Sequence, residues 1–361
     1  VWLSNNYSAN NVLQFGQRGR SFGYTDGTRS LFDPDVVYEA IEPNAPSGAG
    51  PGWGIPSELY DAVAQGVGDN FEINYLDPNF ELPSEMKFAL GVTHYFAGDW
   101  MFTADYLFTQ LQDSAIILHG DLEQTGTNPD GYPIYDSVRE ASFVLTNSGQ
   151  KAEAQSFSLG LAKAFDNGFD FSVGYTWNDS EDVNPMTSSV AFSNYQNRAF
   201  FDPQEDVVST SNYNIEHRFT FTTTWRTTFF DRFPSVFSLY GQSNTGRPYS
   251  IAFNGTADPY GFTPFLDFRT NVLEPGVARN SETGSTWTKL DFRFDVGIPI
   301  MGDEDRLAFF MIIDNLTNLL NDEWGILKQH PFPRTVEAGT PEPRIGDASR
   351  YEIRFGLRYD F

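Results

Sequence analysis

The sequence predicts an all-β fold, an antiparallel set of strands that cross a membrane as part of a β-barrel. Two observations predict it. Apolar and polar residues alternate with a period of two in segment after segment, so each strand has one apolar and one polar face. The connections between these segments are alternately short and long. That asymmetry is typical of transmembrane barrels, which have short turns on one side and long loops on the other.

The last twelve residues show the alternation without interruption. One face carries Tyr351, Ile353, Phe355, Leu357, Tyr359 and Phe361, and the other carries Arg350, Glu352, Arg354, Gly356, Arg358 and Asp360. A strand of a soluble sandwich could alternate in the same way. The barrel prediction therefore depends on the recurrence of the pattern along the chain and on the lengths of the connections.

Composition limits the function classes. The 361 residues carry a formal net charge of −25, and this acidic balance argues against a nucleic-acid partner. Mean hydropathy is −0.38, and no run of about 18 apolar residues predicts a membrane helix. The absence of Cys excludes disulfides and thiolate metal sites. Because the chain starts at Val1 with no signal-peptide pattern, we expect a processed chain or part of a larger protein.

The first quarter of the chain does not alternate. Residues 9–85 are rich in Gly, Pro, Asn and Asp and are predicted to form a long loop. The stretch GAGPGWG at Gly48–Gly54 lacks the Lys-Ser/Thr of a phosphate-binding loop, so we interpret it as flexible loop. Ser57–Gln65 is predicted to be a short helix. A strand before residue 9 is too short and polar to assign.

Four hairpins and a final strand follow. Their short turns lie near 97–99, 166–168, 230–234 and 301–305, and their long loops lie near 9–85, 119–150, 178–212, 245–284 and 321–349. The predicted strands are Phe88–Phe96, Trp100–Phe108 (which could extend to Leu118), Phe157–Phe165, Phe169–Trp177, Ile215–Trp225, Val236–Tyr240, Leu290–Ile300, Leu307–Leu320 and Arg350–Phe361. These are nine clear strands. Bacterial barrels have even strand numbers, so we expect the missing strands to precede Val1.

The barrel prediction assigns a side to each connection and an environment to each face. Short turns are expected in the periplasm and long loops outside, which places the end of the final strand in the periplasm. Apolar faces would contact lipid and polar faces would line the lumen. The lumen-lining candidates are Asp291, Arg293, Asp295, Glu352, Arg354 and Arg358.

Five stretches resemble TonB-dependent outer-membrane receptors, especially the Oar-like group. They are LDPNFELPSEMKFALGV (Leu76–Val92), SNYNIEHRF (Ser211–Phe219), TGRPYS (Thr245–Ser250), DNLTNLLND (Asp314–Asp322) and the terminal RYEIRFGLRYDF. The resemblance covers nearly the whole chain but only the C-terminal part of that family. It implies the second half of a 22-stranded barrel, about nine to ten strands.

The resemblance also implies partners and a function. Family members carry a plug domain and a TonB-interacting box ahead of the barrel, and neither is present in residues 1–361. The implied function is energised uptake of a nutrient in the outer membrane of a Gram-negative bacterium. Its implied partners are lipid and lipopolysaccharide, the upstream plug and strands, TonB, and the barrel-assembly machinery. The assembly signal would comprise Tyr351, Phe355, Tyr359 and Phe361.

Aromatic residues in the long loops are the ligand-contact candidates. They could stack on a sugar or peptide, or they could pack the loops against one another, and the second interpretation is favoured. The candidates are Trp53, Tyr60, Tyr132, Tyr195, Tyr260 and Trp324. An adhesion or binding module and a passive channel remain alternatives to a transporter.

Enzymatic and metal chemistry have weak support. His94, His119, His217 and His330 match no metal spacing, and no local Ser-His or Asp-His arrangement indicates a barrel lipase or protease, so we predict no enzyme and no cofactor. Lys163, on an apolar face near a turn, is predicted to extend to the interface. Oxygen-rich loops can hold Ca²⁺, but solvated loop is the favoured interpretation. The acidic clusters are Asp33/Asp35, Asp179/Glu181/Asp182 and Asp202/Glu205/Asp206.

Overall fold

The computed structural model describes residues 73–96, 98–137, 142–253, 260, 271–299 and 306–360. Within them lie eighteen strands, two short α-helices, α1 (Ala191–Gln196) and α2 (Leu316–Leu320), and one turn of 3-10 helix at Asp347–Ser349. The strands are β1 (Ile73–Leu76), β2 (Ser84–Phe96), β3 (Trp100–Gln112), β4 (Ala115–His119), β5 (Leu122–Thr127), β6 (Pro133–Ser137), β7 (Ser142–Asn147), β8 (Glu153–Ala164), β9 (Phe169–Asp182), β10 (Ser209–Thr210), β11 (His217–Phe229), β12 (Phe233–Asn244), β13 (Pro248–Ile251), β14 (Glu282–Thr283), β15 (Trp287–Pro299), β16 (Arg306–Asp314), β17 (Thr335–Val336) and β18 (Glu352–Asp360). The predicted helix Ser57–Gln65 lies outside the described residues.

Nine strands form one continuous antiparallel sheet. Their order is β18-β16-β15-β12-β11-β9-β8-β3-β2, so all neighbours follow one another along the chain in the sheet, and β10 adds a short pairing to the end of β9. Among the described residues, the outer edges of β2 and β18 pair with no other strand. The all-β, antiparallel fold predicted from the alternation is confirmed.

The register places the apolar side of every strand on the same face of this sheet. One row crosses all nine strands at right angles: Phe96, Trp100, Lys163, Phe171, Thr223, Leu239, Phe292, Ile313 and Ile353. This face stays uncovered in the described structure; Leu90 is 66% exposed and Leu357 is 69% exposed. So large an uncovered apolar surface is what a lipid-facing wall requires.

The opposite face carries small and charged side chains. A neighbouring row on this polar face runs Ala164, Asp170, Thr224, Ser238, Arg293, Ile312 and Arg354. Because the side-chain period in a strand is two, one alternating sequence supplies both surfaces. We call the surface with the small and charged side chains the polar face and the opposite surface the apolar face.

Two of the short connections are described in full, and both are tight turns, whereas residue 97 of the predicted turn 97–99 and the whole predicted turn 301–305 lie outside the described residues. Asp166–Gly168 joins β8 to β9, and Gly168 has a φ of +82°, which favours Gly over residues with a Cβ. A Cβ there would lie 2.2 Å from the carbonyl oxygen of Arg226, whose own N–H donates to the Gly168 carbonyl at 2.8 Å. Residues 230–232 join β11 to β12, with Phe230 and Asp231 at positive φ. The side of the membrane that these turns face stays a prediction.

Two predicted strand ends were wrong. The strand starting at Trp100 does not reach Leu118: β3 ends at Gln112, and Asp113, at a φ of +52°, turns the chain into the separate strand β4. The strand predicted over Leu307–Leu320 ends at Asp314. Asn315 takes a left-handed conformation there, and α2 follows.

The described parts of the long connections fold into a layer of their own. The segment predicted as mostly polar loop at 119–150 contains β5, β6 and β7, and β7 lies between β1 and β4 in a three-stranded sheet. The fully buried apolar side chains cluster in this layer; one cluster comprises Ile117, Phe143, Leu145, Ala191 and Tyr195. A second cluster comprises Tyr132, Tyr135, Phe200, Tyr260 and Val272. In the part of the chain that the structure describes, no helix is long and apolar enough to span a membrane.

Candidate functional site

The six lumen-lining candidates all lie on the polar face. On β15, Arg293 binds Asp295 through two hydrogen bonds, both 2.7 Å long, and Lys289 binds Asp291 at 2.8 Å. Because each cation lies beside a carboxylate, this part of the face is polar but nearly neutral. Glu352, Arg354 and Arg358 of β18 share the same side of the sheet, and Arg354 forms an ion pair with Asp314 of β16.

An aromatic ring lies within this charged surface. Phe310 packs over Gly356, where a Cβ would lie only 2.1 Å from the ring, so the cross-strand position requires Gly. The guanidinium of Arg293 lies 5.8 Å from the centre of the Phe310 ring on the neighbouring strand. Asp295 and Phe310 together therefore hold Arg293 in one orientation against the sheet.

Asn315 organises the loop that follows β16. Its Nδ2 donates to the Gly325 carbonyl at 2.9 Å, and its Oδ1 accepts from the Thr317 hydroxyl at 2.7 Å. Its own backbone N–H donates to the Asp291 carboxylate at 2.8 Å, which ties the loop to the polar face. Gly325 has a φ of +66°, and a Cβ on it would lie 2.0 Å from Asn315 Oδ1. The motif DNLTNLLND thus folds a compact structural turn.

The Gly325 carbonyl also positions the side chain of Trp287. Trp287 Nε1 donates to the Gly325 carbonyl at 3.2 Å, and Lys289 Nζ lies 5.8 Å from the centre of the Trp287 ring. Trp287 has the parity of Asp291 and Arg293, so it lies on the polar face. Trp287 was not among the residues predicted from the sequence, although its parity in the alternating strand was a signal for this position.

Trp287 lines a cavity of about 550 Å³ at the long-loop end of β15, β16 and β18. The charged residues that line this cavity are Lys289, Asp314, Asp347, Arg350 and Glu352. Its size falls within the range of small-molecule sites.

Three of the ligand-contact candidates are buried. Tyr132, Tyr195 and Tyr260 are between 0% and 1% exposed, so they pack the loops together and present no surface to a ligand. The hydroxyl of Tyr132 donates to the Leu273 carbonyl at 2.7 Å and that of Tyr260 to the Phe201 carbonyl at 2.6 Å. For these three residues the structure agrees with loop packing, the interpretation that the sequence favoured.

The other three ligand-contact candidates are not buried in this way or lie outside the described residues. Trp324 is exposed, at 56%. Trp53 and Tyr60 lie outside the described residues.

Arg198 is a buried cation in the loop layer that the sequence did not reveal. Its guanidinium donates to the carbonyls of Glu205 at 3.0 Å and Pro203 at 3.1 Å. Burial lowers the pKa of Arg198 and raises that of Glu205, and the two charges favour each other's ionised form. Glu205 also accepts from the backbone N–H of Asp202 at 3.0 Å. This pair closes the turn at 202–205.

The carboxylates proposed as Ca²⁺ ligands are largely engaged in these contacts. Asp202 accepts from the Tyr135 hydroxyl at 2.8 Å, and Asp182 binds Arg279 at 2.7 Å. Asp206 accepts from the Gly149 N–H at 2.8 Å. No group of three or more His, Cys, Asp or Glu side chains within the described ranges could hold a metal ion. Asp33 and Asp35 lie outside those ranges.

The four histidines lie apart in the fold. His94 and His217 are on the apolar face, and His217 Nδ1 lies 2.9 Å from the Tyr175 hydroxyl. His119 packs against Phe143 in the loop layer, and His330 is buried beside Tyr249.

Lys163 and the C-terminal aromatics also lie on the apolar face. Lys163 Nζ lies 5.1 Å from the ring centre of Trp100 and 4.6 Å from that of Phe165, near a short turn, which suits an interfacial position. Phe355 and Tyr359 of β18 share this face, and Tyr351, just before the strand, is 49% exposed. Phe361 lies outside the described residues.

A wall of strands with one lipid-type face and one polar face defines a membrane β-barrel protein. The family model described as outer membrane beta barrel domain matches residues 17–288, and the chain belongs to this family. The predicted outer-membrane location in Gram-negative bacteria is therefore confirmed. No curated protein matches the chain in sequence.

The chain is similar to two solved structures at low sequence identity. One is the outer membrane transporter YddB from Escherichia coli, at 12% identity and a TM-score of 0.49, covering 80% of this chain and 34% of that chain. The other is the ferric-catecholate import receptor Fiu from E. coli K12, at 10% identity and a TM-score of 0.22, covering 77% of this chain and 40% of that chain. This chain therefore spans well under two thirds of the length of either protein.

Proposed function

We propose that the protein is a TonB-dependent outer-membrane receptor of the Oar-like group that takes up a nutrient by energised transport. The observation that carries the proposal is the nine-strand wall itself. It has an apolar and a polar face and a folded loop layer at one end, and its outer strands β2 and β18 each have one edge with no strand partner among the described residues. The stretches that resemble the Oar-like group supply the finer assignment.

The open edges support a large barrel. Within lipid, unpaired backbone N–H and C=O groups cost several kcal/mol each, so β2 and β18 need strand partners. We infer that strands outside the described residues close the wall, in a barrel of 22 strands with a plug inside. A barrel of that size needs a plug because its lumen is wide.

The polar face suits a lumen that holds both water and a plug. Small residues such as Gly174, Ser172 and Thr222 leave room, while the paired Arg293 and Asp295 give the wall polarity without a large net charge. The alternatives are a passive channel and an adhesion module. A passive channel needs a continuous open lumen, and an adhesion module needs no energy coupling.

Co-purification with TonB distinguishes these functions. The protein expressed from its intact gene should retain the periplasmic domain of TonB, and it should show no steady ion conductance in planar bilayers. Conductance without TonB binding would support the passive channel. Absence of both would support the adhesion module and reject the transporter.

The remaining partners and the absence of catalysis are part of the same proposal. Phe355 and Tyr359 would present the C-terminal strand to the barrel-assembly machinery, and the apolar face would contact phospholipid and lipopolysaccharide. We propose no catalytic residue and no resident cofactor, with Ca²⁺ in the acidic outer loops as a minor alternative. Depletion of the assembly machinery should leave the protein unfolded in the periplasm.

A further inference from the structure

We propose that the cavity beside Trp287 is a binding site for a neutral saccharide. The cavity, of about 550 Å³, opens on the polar face at the long-loop end of the sheet. It combines the aromatic rings of Trp287 and Tyr351 with hydrogen-bonding side chains of both charge signs. A sugar ring requires this combination, because it has an apolar C–H face and an edge of hydroxyl groups that both donate and accept.

The tryptophan is held in place before any ligand arrives. The Gly325 carbonyl accepts hydrogen bonds from both Trp287 Nε1, at 3.2 Å, and Asn315 Nδ2, at 2.9 Å. Asn315 is in turn fixed by Asp291, which accepts its backbone N–H. The indole N–H is therefore already satisfied, and what Trp287 offers a ligand is its ring surface. A fixed ring loses little conformational entropy on binding.

The charges around the ring favour a neutral ligand. Lys289 Nζ lies 5.8 Å from the Trp287 ring centre and is paired with Asp291, so a cationic ligand seeking the ring would meet a like charge. An anionic ligand would meet Asp314, Asp347 and Glu352. Hydroxyl groups can donate to these carboxylates and accept from Arg350 without a net charge of their own.

Carboxylates alone would not make a site. The independent feature here is Trp287, a large aromatic residue on the charged side of an alternating strand, held by a hydrogen bond to the Gly325 carbonyl of the following loop. The inference deepens the proposed function and rests on it for the role of the sugar as cargo. Binding itself can be measured without transport.

Calorimetric titration tests the site directly. The protein expressed from its intact gene would be extracted from outer membranes in lauryldimethylamine oxide, a detergent without a sugar headgroup. Maltose, cellobiose and sucrose serve as neutral probes, and citrate and trilysine as charged ones. At least one disaccharide should bind saturably, and Trp287→Ala should weaken it about tenfold or more through loss of the ring surface.

Two further variants separate recognition from folding. Trp287→Phe keeps an aromatic plane and should retain most of the affinity. Trp225→Ala removes a tryptophan from the apolar face of the same sheet and should leave binding unchanged. Heat-modifiable migration on gels reports whether each variant is folded.

Three results would overturn the inference: no binding of any of the three disaccharides, equal affinity in wild type and Trp287→Ala, or binding of citrate or trilysine instead. TonB co-purification is measured on the same preparations. Retained TonB binding without sugar binding rejects the saccharide site alone. Sugar binding without TonB rejects the transporter proposal alone.

Discussion

Asn315 Nδ2 and the Gly325 carbonyl are joined by a 2.9 Å hydrogen bond that closes the turn after β16. Both residues have positive φ, and Asn315 is almost completely buried. Asn tolerates this conformation because its short amide can bond locally, as Asn315 does with Thr317. Asn315 thus connects the polar face to the loop that follows β16, because its backbone N–H binds Asp291 and its side-chain amide binds Gly325.

Asn315→Ala should destabilise the protein by about 2–4 kcal/mol, since it removes the side-chain hydrogen bonds of Asn315 and with them the local bonding that offsets the cost of positive φ. The denaturation midpoint in urea, followed by heat-modifiable migration, measures the loss. Asn321→Ala in the same motif is the control. Its side chain accepts one hydrogen bond, from the exposed N–H of Glu323, so it should cost about 1 kcal/mol or less. Equal costs would contradict the structural role of Asn315.

The stability of the folded protein should depend on which face of β15 carries a charged side chain. Phe292→Arg places a cation on the apolar face and should cost about 2–4 kcal/mol if it lies near mid-bilayer. Arg293→Phe loses the half-exposed pair with Asp295, which is worth about 1 kcal/mol or less.

The folded fraction of each variant in isolated outer membranes measures the two stability costs. The two residues are adjacent in sequence, so each serves as the positional control for the other. Equal losses from both substitutions would count against the assignment of the apolar face to lipid.

The sheet could be predicted from the sequence because its determinants are local. A period-two alternation is visible within one strand, and a tight turn such as Asp166–Gly168 carries its own sequence signal. Strand ends were less predictable. Asp113 and Asn315 end strands by adopting positive φ, which Asp and Asn do in only some contexts.

The loop layer could not be predicted because its contacts are distant in sequence. Tyr132 bonds to Leu273, which is 141 positions away, and no periodicity links such residues. The sequence therefore left Tyr195 and Tyr260 with two interpretations, loop packing or ligand contact, and did not show which residues they pack against. Trp287 shows the reverse case, because its parity with Asp291 and Arg293 was enough to assign it to the polar face, yet it was not among the candidate residues.

Topology can be measured with single cysteines, since the native chain has none. Asp166→Cys lies in a short turn and Ala338→Cys in an exposed part of the last long loop. In intact cells a membrane-impermeant maleimide should label position 338 and should reach position 166 only after lysis. The reverse pattern would invert the orientation. Labelling of both positions in intact cells would contradict a membrane barrel.

The loop layer should weaken at alkaline pH. Burial raises the pKa of Tyr132 to about 12, and its hydroxyl donates to Leu273. A folded-state pKa above the unfolded value near 10 means that this stabilisation is complete below about pH 10 and is lost towards pH 12. Proteinase K should therefore cut the loops of the wild type progressively faster over that range.

Tyr132→Phe tests the cause. It lacks the donor, so its loops should be cut somewhat faster at pH 8 but should gain less additional cleavage between pH 10 and 12. Tyr213→Phe, at an exposed tyrosine, should follow the wild type. An identical alkaline increase in Tyr132→Phe would show that other groups control the transition.

The open edges at β2 and β18 give the last prediction. Every residue of β2 is exposed, and its outer edge has no strand partner among the described residues, as is also true of β18. In lipid each unpaired backbone group costs several kcal/mol, so this wall cannot end in the membrane as it stands. A polypeptide of residues 73–361 refolded in detergent should therefore give no compact, heat-modifiable monomer, whereas the product of the intact gene should. Mixing that polypeptide with the separately expressed remainder should restore protease resistance if the remainder supplies the missing strands. A compact, resistant monomer from residues 73–361 alone would replace the large barrel with a small barrel closed by direct pairing of β2 with β18.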